Sequence, residues 1–311
     1  MFGDIHELQS PTGATLAFRH APARDAPRGI LAICHGMSEH SGRYAAFAAE
    51  MAARGFHVYA HDHRGHGLTT APDAPRGRFA SRHGADKVIA DTVAMRDHAG
   101  ARHPGLPVIL FGHSMGGLIS LNTALAHPEK FAAAAVWNAN ALPGRAAIAA
   151  ARLLLKAERA LKGSDVPGDI LPRLTVRLWN RAIGENRTEA DWLSHDRAAV
   201  DAFLADPLTQ VQPSVSMWLD IFDLIARWPA LTKTGSAHAL PFHLVGGGED
   251  PSTDNGKAVT RLAEHLKSAG FRSINIAIYR YMRHETLNDR GRDEAIAAFA
   301  AWCESCLAGD R

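Results

Sequence analysis

The stretch GHSMGG, Gly112 to Gly117, follows directly on the apolar run PVILF and leads directly into a helical pattern. It holds G-x-S-x-G in the setting where a serine hydroxyl acts as a nucleophile, between a buried strand and a helix. A tight strand-to-helix turn lifts the Ser114 hydroxyl above the sheet edge, and glycines at 112 and 116 relieve the crowding around it. The helix beginning near Met115 points its free N–H groups and positive end toward a reacting oxygen. As a bare pattern G-x-S-x-G also describes an ordinary glycine-rich turn, and the flanking strand and helix favour the nucleophile.

A serine hydroxyl is a poor nucleophile at neutral pH and needs a base oriented by a carboxylate. LPFHLVGGGED ends a strand-like run in a glycine-rich turn with Asp250 at its tip, and INIAIYRYMRHE ends the last such run with His284 just beyond. All three residues lie past carboxyl ends of strands, where open α/β sheets build their sites. Glu249 and Asp254 compete for the acid's role. Adjacent residues of an extended turn point to opposite sides, so Glu249 and Asp250 cannot both face the histidine, and Asp254 suits the cap of a helix beginning near Asn255. Asp250 is preferred. Among rival histidines, His103 and His127 precede prolines at helix ends, and His113 is part of the elbow, packing or hydrogen-bonding beneath it. Upstream, HGMSEHSGRY (His35 to Tyr44) follows the run GILAIC and supplies an oxyanion loop. The expected donors are the backbone N–H groups of Met37 and of Met115, the residue after the nucleophile.

A second cluster invites a different chemistry. His61 to Gly67 reads HDHRGHG, close to the H-x-H-x-D-H of two-metal hydrolases. Gly65 stands where the second-metal aspartate is needed, however, and no second histidine-rich loop of matching spacing follows. The expectation is no metal at this loop and no cofactor.

The elements that must carry these residues alternate along the chain. Strand-length apolar runs (GILAIC, FHVYA, PVILF, FAAAAVWN, LPFHLV, INIAIY) are separated by stretches of helical period. This is the pattern of a mostly parallel sheet covered by helices on both faces, a doubly wound α/β domain. Between about Ala139 and Ala230 the rhythm breaks, and segments such as AAIAAARLLLKAERALKG and SVSMWLDIFDLIARW are helical throughout. Residues 139–230 are read as a helical cap inserted into a core of residues 1–138 and 231–311. The competing reading is an extension of the core.

Bulk properties narrow the class. With 34 basic and 32 acidic residues the net charge is +2, and no block of like charge offers a nucleic-acid surface. The N-terminus lacks the basic start and apolar core of a secretory signal, and no run reaches the roughly 18 apolar residues of a membrane span, so a cytoplasmic protein is expected. Three cysteines, Cys34, Cys303 and Cys306, suit a reducing compartment, and the C-x-x-C pair falls on a C-terminal helix.

Taken together, HGMSEHSGRY, HDHRGHG, GHSMGG, the GGGED turn and RHETLND resemble the monoacylglycerol lipase and lysophospholipase group of the α/β-hydrolase superfamily. The resemblance spans nearly the whole chain. It implies an α/β-hydrolase fold and a cofactor-free serine hydrolase acting on a lipid ester with one acyl chain, a monoacylglycerol or a lysophospholipid. It makes D-x-R-G-H-G, here Asp62, Arg64, Gly65, His66 and Gly67, a structural turn. A short-chain carboxylesterase, a peptidase and a non-catalytic ligand-binding protein of the same fold are the alternatives. The apolar cap leaves room for transient membrane contact. Ser252, two places after the acid, stands where an apolar residue is more usual.

Overall fold

The computed structural model describes residues 2–163, 166–167, 170–184 and 186–308. The near-continuous apolar runs form strands buried at every residue: β3 (Gly29–Cys34), β4 (Phe56–His61), β5 (Val108–His113), β6 (Ala133–Trp137) and β7 (Phe242–Gly247). Burial of both faces leaves no place for polar alternation. β8 (Ile274–Tyr279) closes one edge and is partly exposed. At the other edge lie two strands the sequence reading did not identify, β1 (His6–Gln9) and β2 (Thr15–Ala21). The eight strands are ordered β1-β2-β4-β3-β5-β6-β7-β8. β2 runs antiparallel to both of its neighbours, β1 and β4, and the remaining pairings along the sheet are parallel.

Each central strand feeds two cores. In β3, Ile30, Ala32 and Cys34 face one layer while Leu31 and Ile33 face the other, the period of two that a pleated strand imposes. The first layer is covered by α2 (Gly84–Arg102), α3 (Met115–Ala126) and α8 (Lys257–Ser268), the second by α1 (Ala45–Ala53) and α9 (Arg292–Ala308). Cys34, Cys303 and Cys306 are free, the last two on α9.

Between β6 and β7 lie α4 (Arg145–Lys162), α5 (Ile170–Ala182), α6 (Arg197–Ala205) and α7 (Val215–Leu231). They do not form one layer. Met217, Leu224 and Trp228 of α7 pack into the core beside α3, and the Trp228 indole N–H donates to the Ala141 carbonyl at 3.0 Å. α4 packs on α7 through Leu155. α5 and α6 stand over the carboxyl ends of the strands, where their residues line a cavity described below. Among the described residues no helix is long and apolar enough to cross a membrane.

Candidate active site

β5 runs straight into α3 with Ser114 alone at the bend. Its backbone sits at φ 55° and ψ −118°, a conformation that costs a non-glycine residue about 1–3 kcal/mol. Both flanking glycines are forced by close approach. A Cβ at Gly112 would lie 2.1 Å from the Gly116 carbonyl oxygen, and one at Gly116 would lie 2.1 Å from that of Cys34. The turn is thus pressed onto the end of β3, and Ser114 N–H is tied to the Trp137 carbonyl at 2.8 Å.

The serine's partners arrive from two later strand ends. His284 Nε2 lies 2.9 Å from Ser114 Oγ, and its Nδ1 lies 3.0 Å from Asp250 Oδ2. The loops of Asp250 and His284 meet because glycine permits it: a Cβ at Gly247 would lie 2.2 Å from the Arg283 carbonyl oxygen. Burial by itself would push the Asp250 carboxyl up. The facing His284, with hydrogen bonds from His284, Ser252 and Thr253, outweighs burial and holds it below the usual carboxylate range. Glu249 points away and meets His195 at 3.0 Å. Asp254 departs from expectation: it is a left-handed residue after the acid's turn, ion-paired with Lys257 and Arg261, while Gly256 takes the N-cap of α8. A left-handed glycine ends the turn at no steric cost, so the carboxylate is not needed there.

Ser252 has a place that its sequence position did not disclose. Its hydroxyl lies 2.7 Å from Asp250 Oδ1 and 2.8 Å from His284 Nδ1, so it touches both partners of the relay. Asn138 adds a side-chain N–H to Asp250 Oδ2 at 3.3 Å.

The HGMSEHSGRY loop is organised by Glu39, whose carboxylate accepts from the Gly36 N–H at 2.8 Å and faces His113 Nδ1 at 3.1 Å. His113 Nε2 in turn lies 3.0 Å from the carbonyl oxygen of His284. Two acceptors, one on each ring nitrogen, require a doubly protonated imidazole. Burial opposes that charge, yet Glu39 and Glu285 with the His284 carbonyl raise His113 above its ordinary value. Arg43 completes the network, donating two 2.7 Å bonds to Glu285 and pairing with Glu39. Ser38 ties the loop to the stretch between α6 and α7, donating to the Val211 carbonyl at 2.7 Å. Met37 lines the cavity above Ser114. Met115 opens α3, so its N–H is among the first four of a helix, which have no intrahelical acceptor.

HDHRGHG folds as the expected turn. Asp62 accepts from Ser41 N–H at 2.7 Å and Leu68 N–H at 2.8 Å, and buried Arg64 pairs with Asp73 at 2.5 Å. A Cβ at Gly65 would lie 2.3 Å from the Arg78 carbonyl oxygen. Burial lowers His61 and His66 to about 4.

With this geometry in view, comparison with known proteins is decisive for the family. The family model described as "Serine aminopeptidase, S33" matches residues 25–291. The chain belongs to that family. Human monoglyceride lipase is 28% identical over 269 residues, covering 86% of this chain and 80% of the relative. Monoacylglycerol lipase of Mycolicibacterium smegmatis is 26% identical over 291 residues, covering 90% of each. The resemblance to the monoacylglycerol lipase group within the α/β-hydrolases is therefore borne out. The same fold occurs in a thermostable carboxyl esterase of Bacillus coagulans (TM-score 0.81, 23% identity, 98% of each chain). It occurs also in a soluble variant of monoglyceride lipase from Saccharomyces cerevisiae (TM-score 0.73, 17% identity, 97% of this chain and 94% of that one).

In this S33-family chain the serine opens into a cavity of about 930 Å³ lined by residues of the strand-end loops and of the segment between β6 and β7, among them Met37, Trp179, Trp192, Phe203 and Trp218. The Trp192 ring stands 4.8 Å from that of His284 and 4.4 Å from that of Trp179. Nothing in the sequence reading singled out these tryptophans. Their signal was aromatic residues on an insertion otherwise rich in alanine and leucine.

Proposed function

We propose that the protein is a serine hydrolase that cleaves carboxylic esters of single-acyl-chain lipids, monoacylglycerols or lysophospholipids, through an acyl-enzyme. The observation that carries this reading is the unbroken relay Ser114, His284, Asp250 at the floor of a large aromatic cavity. Such a cavity falls in the size range of small-molecule sites and has the apolar walls that an acyl chain needs.

In this mechanism Ser114 Oγ attacks the ester carbonyl carbon while His284 Nε2 takes its proton. Asp250 holds the histidine with Nδ1 protonated and stabilises the imidazolium. The tetrahedral oxyanion receives hydrogen bonds from the Met37 and Met115 N–H groups. Collapse breaks the bond to the alcohol oxygen, which leaves with the proton from His284, and the acyl group stays on Ser114. Water repeats the attack with His284 as base and releases the fatty acid. Residues 139–230 act as a cap that supplies the acyl-chain wall. No cofactor enters the scheme.

The peptidase alternative has less behind it. An aminopeptidase must hold a substrate ammonium group, and of the three acidic residues lining the cavity Glu39 and Glu285 are already engaged by Arg43, which leaves only the exposed Glu189. Rates on p-nitrophenyl esters of increasing chain length, beside monoacylglycerol, lysophosphatidylcholine and an aminoacyl p-nitroanilide, test the reading. The reading predicts preference for medium or long acyl chains. Preference for acetate, or for the anilide, overturns it.

A further inference from the structure

Ester chemistry has no use for His20, His57 and His103, yet the fold gathers them. In the antiparallel pairing of β2 with β4, His20 lies opposite Tyr59. His57 precedes Tyr59 by two residues and so shares its face of the sheet. α2 runs over that face and ends with His103 as its C-cap. The three rings meet there. His57 and His103 are stacked at 3.6 Å between centroids, and His20 lies 5.5 Å from His57 and 5.6 Å from His103. One nitrogen from each ring falls within 4.8 Å of the others. His20 Nε2 and His57 Nδ1 are 3.4 Å apart, the separation of about 3.4 Å that two imidazoles adopt on a tetrahedral ion with metal–nitrogen bonds of about 2.1 Å.

We infer that His20, His57 and His103 form a binding site for a divalent transition-metal ion of the zinc class. Three imidazole nitrogens and no carboxylate suit zinc, copper or nickel and exclude the oxygen-seeking magnesium and calcium. The Tyr59 hydroxyl, 2.9 Å from His103 Nε2, is the outer contact that fixes the orientation of a ligating ring. Closing on the ion requires the stacked rings of His57 and His103 to turn about their side-chain torsions, and His57 Nδ1 to give up the 3.3 Å hydrogen bond it accepts from the Ala23 N–H. Arg102 is the neighbouring positive group that opposes the ion's charge, and its guanidinium is engaged with His98 at 3.0 Å.

The site belongs to the opposite end of the sheet from Ser114. His61 and Gly112 both pair with Cys34 at the carboxyl end of the parallel strands, and His57 lies four residues back, about 13 Å along the strand. A bound ion would therefore staple the β2–β4 edge to the end of α2 and favour the folded chain by mass action. The motif is invisible in the sequence because its members come from positions 20, 57 and 103, without the short spacing of a local metal loop.

The test uses the full chain stripped with chelator and titrated with zinc chloride by calorimetry and with cobalt chloride by visible absorption. The expected result is one ion per chain at micromolar affinity or tighter, a higher Tm with zinc, and at least a tenfold loss of affinity in both His20→Ala and His103→Ala. His20 and His103 are only partly buried, so these variants should remain folded, and melting in chelator verifies it. Absence of stoichiometric binding, or binding by His20→Ala and His103→Ala as tight as that of the unsubstituted chain, overturns the inference.

Discussion

Replacing Ser252 by alanine removes the hydroxyl held between Asp250 and His284. That hydroxyl donates to Asp250 Oδ1 at 2.7 Å, while the Ser252 backbone N–H reaches the same oxygen at 2.9 Å and survives the substitution. A hydrogen bond to a charged group contributes about 1.5–3 kcal/mol, and the surviving N–H bond places the loss near the lower figure. About 1.5 kcal/mol is roughly a tenfold fall in rate. The hydroxyl orients the carboxylate and lies on the side of His284 away from Ser114, so the fall should appear in kcat with KM little changed. Steady-state hydrolysis of p-nitrophenyl butyrate, with thermal melting to verify the fold, measures both. Unchanged or faster turnover in a folded Ser252→Ala protein would refute the reasoning, because the bond at 2.7 Å would then carry nothing into the transition state.

Two further outcomes follow from the same geometry. Gly116→Ala drives a methyl group into the Cys34 and His35 carbonyl oxygens and should cost roughly 2 kcal/mol or more; a lowered Tm together with lost activity is expected, and an unaltered melt contradicts the account of the elbow. His61 and His66, lowered by burial from 6.5 to about 4, stay neutral in the fold and take protons when it opens. The unfolded chain therefore binds more protons between pH 6.5 and 4, so stability should fall with falling pH across that window, by up to about 1.4 kcal/mol per pH unit for each ring. Asp250, held below its unfolded value, adds stability above that value that is lost as pH falls further. Urea midpoints from pH 7.5 to 4 measure this, and a flat profile speaks against buried neutral rings.

The legible parts of this site were those where backbone geometry limits the residue type. Gly112 and Gly116 are written into the sequence because a Cβ at either would strike a carbonyl oxygen, so Ser114 could be read from its neighbours. His284 and Asp250 were legible from their places after the last strands, and Glu249 was set aside by the alternation of an extended turn. Contacts between distant residues left no such mark. Arg43 and Glu285 are 242 positions apart, and neither Trp192 nor Ser252 carries a local sign of its place beside His284. β1 and β2 leave little mark in the sequence because HELQ is largely exposed and TLAFRHA carries Arg19 and His20 among its apolar residues, which obscures the strand period. The helices between β6 and β7 show in their apolar period, but the packing of α7 into the core beside α3 depends on Trp228 and Leu224 meeting residues about a hundred positions earlier.

Fluorophosphonate labelling followed by peptide mass spectrometry tests the central claim most directly. One phosphonyl group per chain on Ser114 is predicted, with labelling and ester hydrolysis both abolished in a folded Ser114→Ala protein, the rate falling by about 10⁴ to 10⁶. Modification of a different serine, or hydrolysis that persists in Ser114→Ala, would contradict it.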